Sequence, residues 1–268
     1  MPDESFLTTL VRRHDTMPVV GDLQHYLGFA LGLLTLTALT VGLARWAGIG
    51  LGLFPLWAIL RAVVQLTVVA VLLRGILAVP WTVALFLLLM LTTASWTSVR
   101  RLDQLWHGRR AAVLGVLAGA VVTLVAVFAL RLVDLEVRYL VAVAGIVIGN
   151  AMSAATLAGR NFLRGSTARA DEIEAWLSLG ATPAHAHEEI GREAVRESLL
   201  PTLDQTKSTG LVTLPGAFVG ALFGGASPAE AAQFQLVVLA GIALAMTVTS
   251  IVVTQVTGRT PYLAGNRA

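Results

Sequence analysis

The stretch Val83-Ala84-Leu85-Phe86-Leu87-Leu88-Leu89-Met90 carries no polar side chain on any face. Neither a surface helix nor an alternating barrel strand can use such a pattern. It lies within one of seven apolar runs, at about 26–44, 51–73, 80–98, 111–130, 139–157, 208–225 and 234–257. Each is near the ~20 residues that carry a helix across ~30 Å of hydrocarbon. Lipid offers no partner to backbone N–H and C=O groups, so each run must satisfy its own, as a helix does. The expected fold is all-α: a polytopic helical membrane protein of about seven transmembrane helices. Of the 268 residues 56% are hydrophobic and 13% charged, about half the charge of a soluble domain. Seven spans leave no room for a separate extramembrane enzyme domain.

The boundaries follow. Residues 1–22 read as a polar tail, because Asp3, Glu4, Arg12, Arg13, Asp15 and Asp22 interrupt any apolar signal core. Residues 23–258 form a single transmembrane domain with a long polar segment at 158–204, and 259–268 is a second tail. Cysteine is absent, which excludes disulfides, iron–sulfur clusters and thiolate metal sites. Arg100, Arg101, Arg109 and Arg110 fall in the loop after the third run; Arg160, Arg164, Arg169, Arg192 and Arg196 fall in the loop after the fifth. Positive loops stay on the cytoplasmic side, so the expected topology is multi-pass in the inner (plasma) membrane, N-terminus outside and C-terminus in the cytoplasm. The same clustering explains the net charge of +3 without a nucleic-acid partner; the partner it implies is membrane lipid.

Half of the chain's sixteen acids lie between 158 and 204, in a pattern of two short amphipathic helices. In the first, Ile173, Trp176 and Leu177 recur at helical spacing, with Asp171, Glu172 and Glu174 on the other side and near the N-terminal end that favours them. Gly180 ends it. Thr182 and Pro183 then read as N-cap and first position of a second helix carrying Ile190, Ala194, Val195 and Leu199 and stopping at Pro201. A surface hairpin lying on the membrane and a lever for a soluble partner both fit this composition.

The run Glu174-Ala175-Trp176-Leu177-Ser178-Leu179-Gly180-Ala181, two spans before the C-terminus, resembles the EAA-type coupling motif of ABC transporter permeases. Over residues 25–258 the chain further resembles the FetB-type iron export permeases and their plant relatives linked to aluminium tolerance. The residues that carry this are Arg61-Ala62-Val63-Val64-Gln65-Leu66, Gly149-Asn150-Ala151-Met152-Ser153, Glu172-Ile173-Glu174 through Thr182-Pro183, and Gly210-Leu211-Val212-Thr213-Leu214-Pro215-Gly216 with Gly224-Gly225-Ala226-Ser227-Pro228. The resemblance implies a permease subunit, a metal (iron) exporter, that binds no cofactor and is driven by a separate ABC ATP-binding subunit holding ATP-Mg. It assigns coupling to Glu172, Glu174, Ala175, Trp176, Leu177, Gly180, Thr182 and Pro183, with Trp176 as the apolar anchor. One coupling segment per chain requires a second copy to engage two ATPases, hence an expected homodimer. Where such relatives follow Pro-Gly with a Met-Met-Thr-Gly-Gln type run, this chain has Ala217-Phe218-Val219-Gly220-Ala221, so metal ligands stay unassigned.

Polar residues inside the spans are the candidates for a translocation pathway. Arg61 stands in the second run, where a guanidinium costs about 2.5–3.5 kcal/mol, and Gln65 is one turn further on. Both a pathway role and a structural arginine bonded to backbone carbonyls fit it. Asn150 and Ser153 form a second patch that reads first as interhelical bonding. Gly216, Gly220 and Gly224 repeat every fourth residue beside the helix-breaking Pro215, a pattern that permits close helix contact and also marks broken, site-forming spans. Gly28 with Gly32 and Gly115 with Gly119 have the same spacing, as chance allows among 25 glycines.

No G-x-x-x-x-G-K-[ST] loop occurs, so ATP hydrolysis is expected on a partner and not on this chain. His187-Glu188-Glu189-Ile190-Gly191 begins like a zinc-protease helix but has Gly191 at the second ligand position; His185, Glu188 and Glu189 read as a solvated face. A channel or secondary transporter, using Arg61, Gln65 and Asn150 without an ATPase, is the alternative function.

Overall fold

The computed structural model describes residues 19–76 and 80–260. Within them the chain forms α1 (Val19–Trp46), α2 (Phe54–Ile76), α3 (Pro80–Arg101), α4 (Gly108–Ala129), α5 (Val137–Ala168), α6 (Ala170–Ser178), α7 (Pro183–Ala186), α8 (Glu188–Ser208), α9 (Gly216–Phe223) and α10 (Pro228–Thr257), and no strand. The all-α polytopic class is therefore observed. Six helices, α1 to α5 and α10, are long and apolar enough to cross a membrane. The tail expected at 1–22 lies outside the described residues up to 18, and its last four residues already belong to α1.

The chain divides into two compact units, one ending at Gly75 and the other beginning at Ile76. In the first, α1 closes through Ala47 N to Leu43 O (2.9 Å) and turns at Gly48, whose φ of +68° suits a residue without Cβ. None of the apolar window Phe54–Leu72 of α2 is buried. Arg61 and Gln65 are exposed on it, and neither has a hydrogen-bond or ion-pair partner among the described residues. The bonding of Arg61 to backbone carbonyls, one of its two readings, is not made among the described residues.

The second unit is built around α10. Its broadest interface is with α4, followed by α5. The α4 seam is closed by glycine: a Cβ on Gly119 would lie 2.0 Å from Thr249 Oγ1 and 2.6 Å from Ala245 O, and one on Gly115 would lie 2.8 Å from Val253 Cγ2. The pair that the sequence reading assigned to chance is thus the one that lets two helices touch. Val116, Ala120, Ala151, Ala155 and Ala158 are fully buried beside it, small side chains keeping α4, α5 and α10 close.

The sixth apolar run, 208–225, is not one transmembrane helix. Pro215 has no N–H, and Gly210 takes φ +90°, so the helix stops at Ser208 and restarts at Gly216. The chain still rises along α10. A Cβ on Gly258 would approach His187 Cβ at 3.6 Å, one on Gly191 would approach Thr254 Cβ at 3.6 Å, Ser198 Oγ meets Ser250 Oγ at 2.9 Å, and Phe218 N meets Gln235 Oε1 at 3.1 Å. These pairs run antiparallel and place the break, 209–215, near the middle of α10. The ascent is therefore shared by α8 and the short α9.

Two other boundaries differ from the sequence reading. The second helix of the polar segment is split, four residues of α7 and then α8, with His187 between them. Pro201 sits inside α8 and does not end it. Ile190, Ala194 and Ser198 are buried on one face of α8, which packs against α5 and α10, and this packing outweighs the lost hydrogen bond at Pro201. Gly119→Leu is expected to destabilise the second unit by about 1–3 kcal/mol or more by forcing α4 from α10, whereas Gly32→Leu, whose Cβ meets open space, is expected to be near neutral; thermal melts in detergent distinguish the two.

Candidate functional site

At one end of the second unit α6 and α7 form a braced hairpin. Ile173 is fully buried and Leu177 packs beside the core, so these two members of the apolar stripe hold α6 to the bundle. Trp176 does not join them: it is 42% exposed and stands edge-on to the His185 ring, centroids 5.3 Å apart. Glu172, Glu174 and Ala175 are exposed on the same helix, and Leu179 is 82% exposed. The turn is fixed by Gly180 at φ +85°, with Ala181 N donating to Trp176 O (3.0 Å) and Gly180 N to Leu177 O (3.0 Å). Thr182 Oγ1 then caps α7 by accepting from His185 N (3.3 Å), with Pro183 at the first turn. The Arg169–Glu193 ion pair joins the start of α6 to α8, and Ile190 packs where a Cβ on Gly165 would stand 2.8 Å away. His187, buried at the α7–α8 junction, packs on Phe162 with ring centroids 5.6 Å apart. His185 spends Nδ1 on Glu188 at 3.4 Å, and no group of three His, Asp or Glu able to hold a metal is found among the described residues.

The break between α8 and α9 is the second feature. Its backbone is partly satisfied internally: Gly210 N donates to Thr213 O (2.9 Å), and Val212 N to Ser208 O (3.0 Å). At the start of α9 the Phe218 N–H is taken by the side chain of Gln235, 95% buried on α10. An amide side chain thus caps a half-helix that no residue of its own segment caps. One turn before the break, Lys207 Nζ and Asp204 Oδ1 pair at 3.0 Å on an exposed face. Pro215 is half-buried, whereas Gly216 and Gly220 face open space, so among the described residues this stripe makes no close contact with another helix.

That open space is a cavity of about 850 Å³ between α9 and α5. One wall is Ala217, Gly220, Ala221 and Gly224; the facing wall is Tyr139, Ala142 and Ile146; Gln233, Phe234 and Glu230 of α10 close the side. Arg131, Asp134 and Arg138 form the mouth, at the end of the unit away from the α6–α7 hairpin. Ile146 O, at the inner end, accepts from Asn150 Nδ2 at 2.8 Å. Ser153 Oγ likewise turns to Gly149 O of its own helix (3.1 Å), so neither residue bonds to a neighbouring helix through these contacts. The structure thus brings Gly220, and through Ile146 Asn150, to one cavity, with Pro215 and Gly216 at the break beside it. Arg61 and Gln65 belong to the other unit.

Three groups escaped the sequence reading. Gln235 lies in the 234–257 run, close to Gln233, and no motif there marks it as a cap. The Asp204–Lys207 pair was signalled by the chain's single lysine. Arg131 has φ +53° at the end of α4, in a reversal where Leu132 N donates to Val127 O (3.1 Å) and Arg131 N to Phe128 O (3.1 Å). Glycine usually holds that place, because left-handed backbone costs an L-residue about 1–2 kcal/mol.

Six long apolar helices, a discontinuous ascent and a polar hairpin define an integral, multi-pass membrane protein. The model of the uncharacterised protein family UPF0014 matches residues 27–262, and the chain belongs to that family. The UPF0014 membrane protein STAR2 of Oryza sativa subsp. japonica is 36% identical over 220 residues, covering 81% of this chain and 77% of its own. The protein ALUMINUM SENSITIVE 3 of Arabidopsis thaliana is 33% identical over 199 residues, 73% and 72% of the two chains. The probable iron export permease protein FetB of Escherichia coli (strain K12) is 32% identical over 186 residues, 68% and 71%. No solved structure matches.

Gln235→Leu leaves the Phe218 N–H without its acceptor, a loss of about 1–3 kcal/mol. In this cysteine-free chain a single Val219→Cys is expected to react faster with thiol reagents once Gln235 is Leu; unchanged labelling contradicts the cap.

Proposed function

We propose that this chain is the membrane-spanning permease subunit of an ABC transporter, working as a homodimer with a separate ATP-binding subunit that holds ATP-Mg. The observation that carries the reading is the α6–α7 hairpin. A lever needs a rigid mount and an uncovered apolar anchor: Ile173, Leu177 and the Arg169–Glu193 pair supply the first, and Trp176 with Leu179 the second. A surface helix resting on lipid would turn its whole apolar stripe outward, whereas here the stripe is divided between bundle and solvent. The residues proposed for coupling are Glu172, Glu174, Ala175, Trp176, Leu177, Gly180, Thr182 and Pro183.

The pathway is proposed along the discontinuous ascent, past Asn150, Ser153, Pro215, Gly216 and Gly220. Broken spans gather binding sites because unwound backbone is tolerated only where it lines a cavity or is covered by protein. A second copy accounts for α2, whose Arg61 and Gln65 otherwise face hydrocarbon without partners. By relation to the Escherichia coli protein the proposed cargo is a metal, iron, moved outward across the inner (plasma) membrane, with the hairpin on the cytoplasmic side and the N-terminus outside. Oxygen groups of Thr209, Thr213, Asn150 and the unwound carbonyls are the donors this route offers, a set suited to hard cations.

Trp176→Ala is expected to abolish co-purification of the ATP-binding subunit and to reduce ATP-driven metal movement to background, while insertion and thermal stability stay within about 0.5 kcal/mol, since the side chain is half-exposed. Retained association with the ATPase contradicts the lever.

A further inference from the structure

We propose that the mouth of the α5–α9 cavity binds a zwitterionic group, an oxyanion with an ammonium beside it, of the kind carried by phosphoethanolamine. The proposal stands on the cavity and does not rest on the ATPase reading. Four charged side chains line the cavity, three at its mouth and Glu230 at its side, and two are already engaged. Arg138 Nε holds Glu136 at 2.6 Å and its guanidinium lies over Tyr139, 4.8 Å from the ring centre. Glu230 closes a capping box with Ser227, accepting from Ser227 N at 2.8 Å while Glu230 N donates to Ser227 Oγ. That leaves Arg131 and Asp134. They stand three residues apart, both line the cavity, and they close no ion pair with each other. The Arg131 guanidinium has no hydrogen-bond or ion-pair partner among the described residues.

The position of Arg131 is the informative part. An arginine that only reaches for the membrane surface does so from any exposed site, and nothing then requires left-handed backbone. Here an L-residue with a long charged side chain holds the place in the α4 reversal that glycine fills with less strain. Observed strain beside a cavity points to use of the side chain there. Its fork of N–H donors matches a phosphate or carboxylate, and Asp134 matches the positive partner. Further in, the lining is mixed, Tyr139, Ile146 and Phe234 beside Gln233 and the glycines of α9, so the ligand's remainder is small. A phospholipid head group and a free solute share this chemistry, and the test separates them.

Purified protein in maltoside micelles is titrated with phosphoethanolamine and, separately, with short-chain phosphatidylethanolamine, following Tm and retention by native mass spectrometry. Wild type is expected to bind at least one. Arg131→Gly relieves the left-handed residue, so its unliganded Tm is expected to rise by roughly 2–4 °C, while its affinity falls about tenfold or more. Arg131→Ala keeps the strain without the guanidinium and is expected to lose affinity without gaining stability, and Asp134→Asn to weaken binding with the fold unchanged. A response to the lipid alone makes the mouth a lipid site; a response to the soluble head group makes it open to solutes. Binding by Arg131→Gly equal to wild type, or no binding of either probe by wild type, overturns the proposal.

Discussion

The close approach of α4 to α10 through Gly115 and Gly119 is the contact on which the second unit depends. With no water to expel between spans, helices in lipid associate through packing at short range, and only a residue without Cβ lets Thr249 and Val253 reach the facing backbone. Thr249 Oγ1 is buried with no conventional partner among the described residues; it rests against Gly119, whose Cα–H is the donor at hand. Once α10 is set by this seam, it serves as the post to which the irregular ascent is tied, by Ser250 to α8 and by Gln235 to α9. A discontinuous helix is tenable in a membrane only under such conditions. Its freed N–H and C=O groups need partners, and a rigid neighbour must present them at fixed height.

The same arrangement links the two ends of the unit. The α6–α7 hairpin is mounted on α5 and α8, α8 runs up to the break, and the short α9 beyond it borders the cavity. The hairpin is thereby joined to the break through α8, which Ser198–Ser250 ties to α10, and Gly210 and Gly225, both at positive φ, are where the backbone turns most freely. On the proposed reading the stiff part is where force enters and the hinged part borders the passage.

Much of this was legible in the chain before its structure. Length and uninterrupted apolarity named the spans, because lipid makes one demand on every backbone group and helices of about 20 residues are the simplest answer. Gly180, Thr182 and Pro183 announced the hairpin turn through backbone rules that act within a few residues. What could not be read was whatever depends on a distant partner. Gly115–Gly119 and Gly216–Gly220 have the same spacing, and only the presence of Thr249 opposite one pair makes it a seam while the other lines open space. Pro201 looked like a stop because the packing that carries α8 through it comes from α5 and α10. Gln235 had no local signature at all, since the N–H it caps is 17 residues away. Asn150 and Ser153 looked like interhelical ties, yet their nearest carbonyls are their own.

The most direct measurement is metal flux in proteoliposomes made with the chain alone and with the proposed ATP-binding subunit. The account predicts no flux from the chain alone and flux that requires ATP hydrolysis when both are present. Equal flux in the two preparations, indifferent to nucleotide, would show that the bundle transports without a motor and that the hairpin is not its lever.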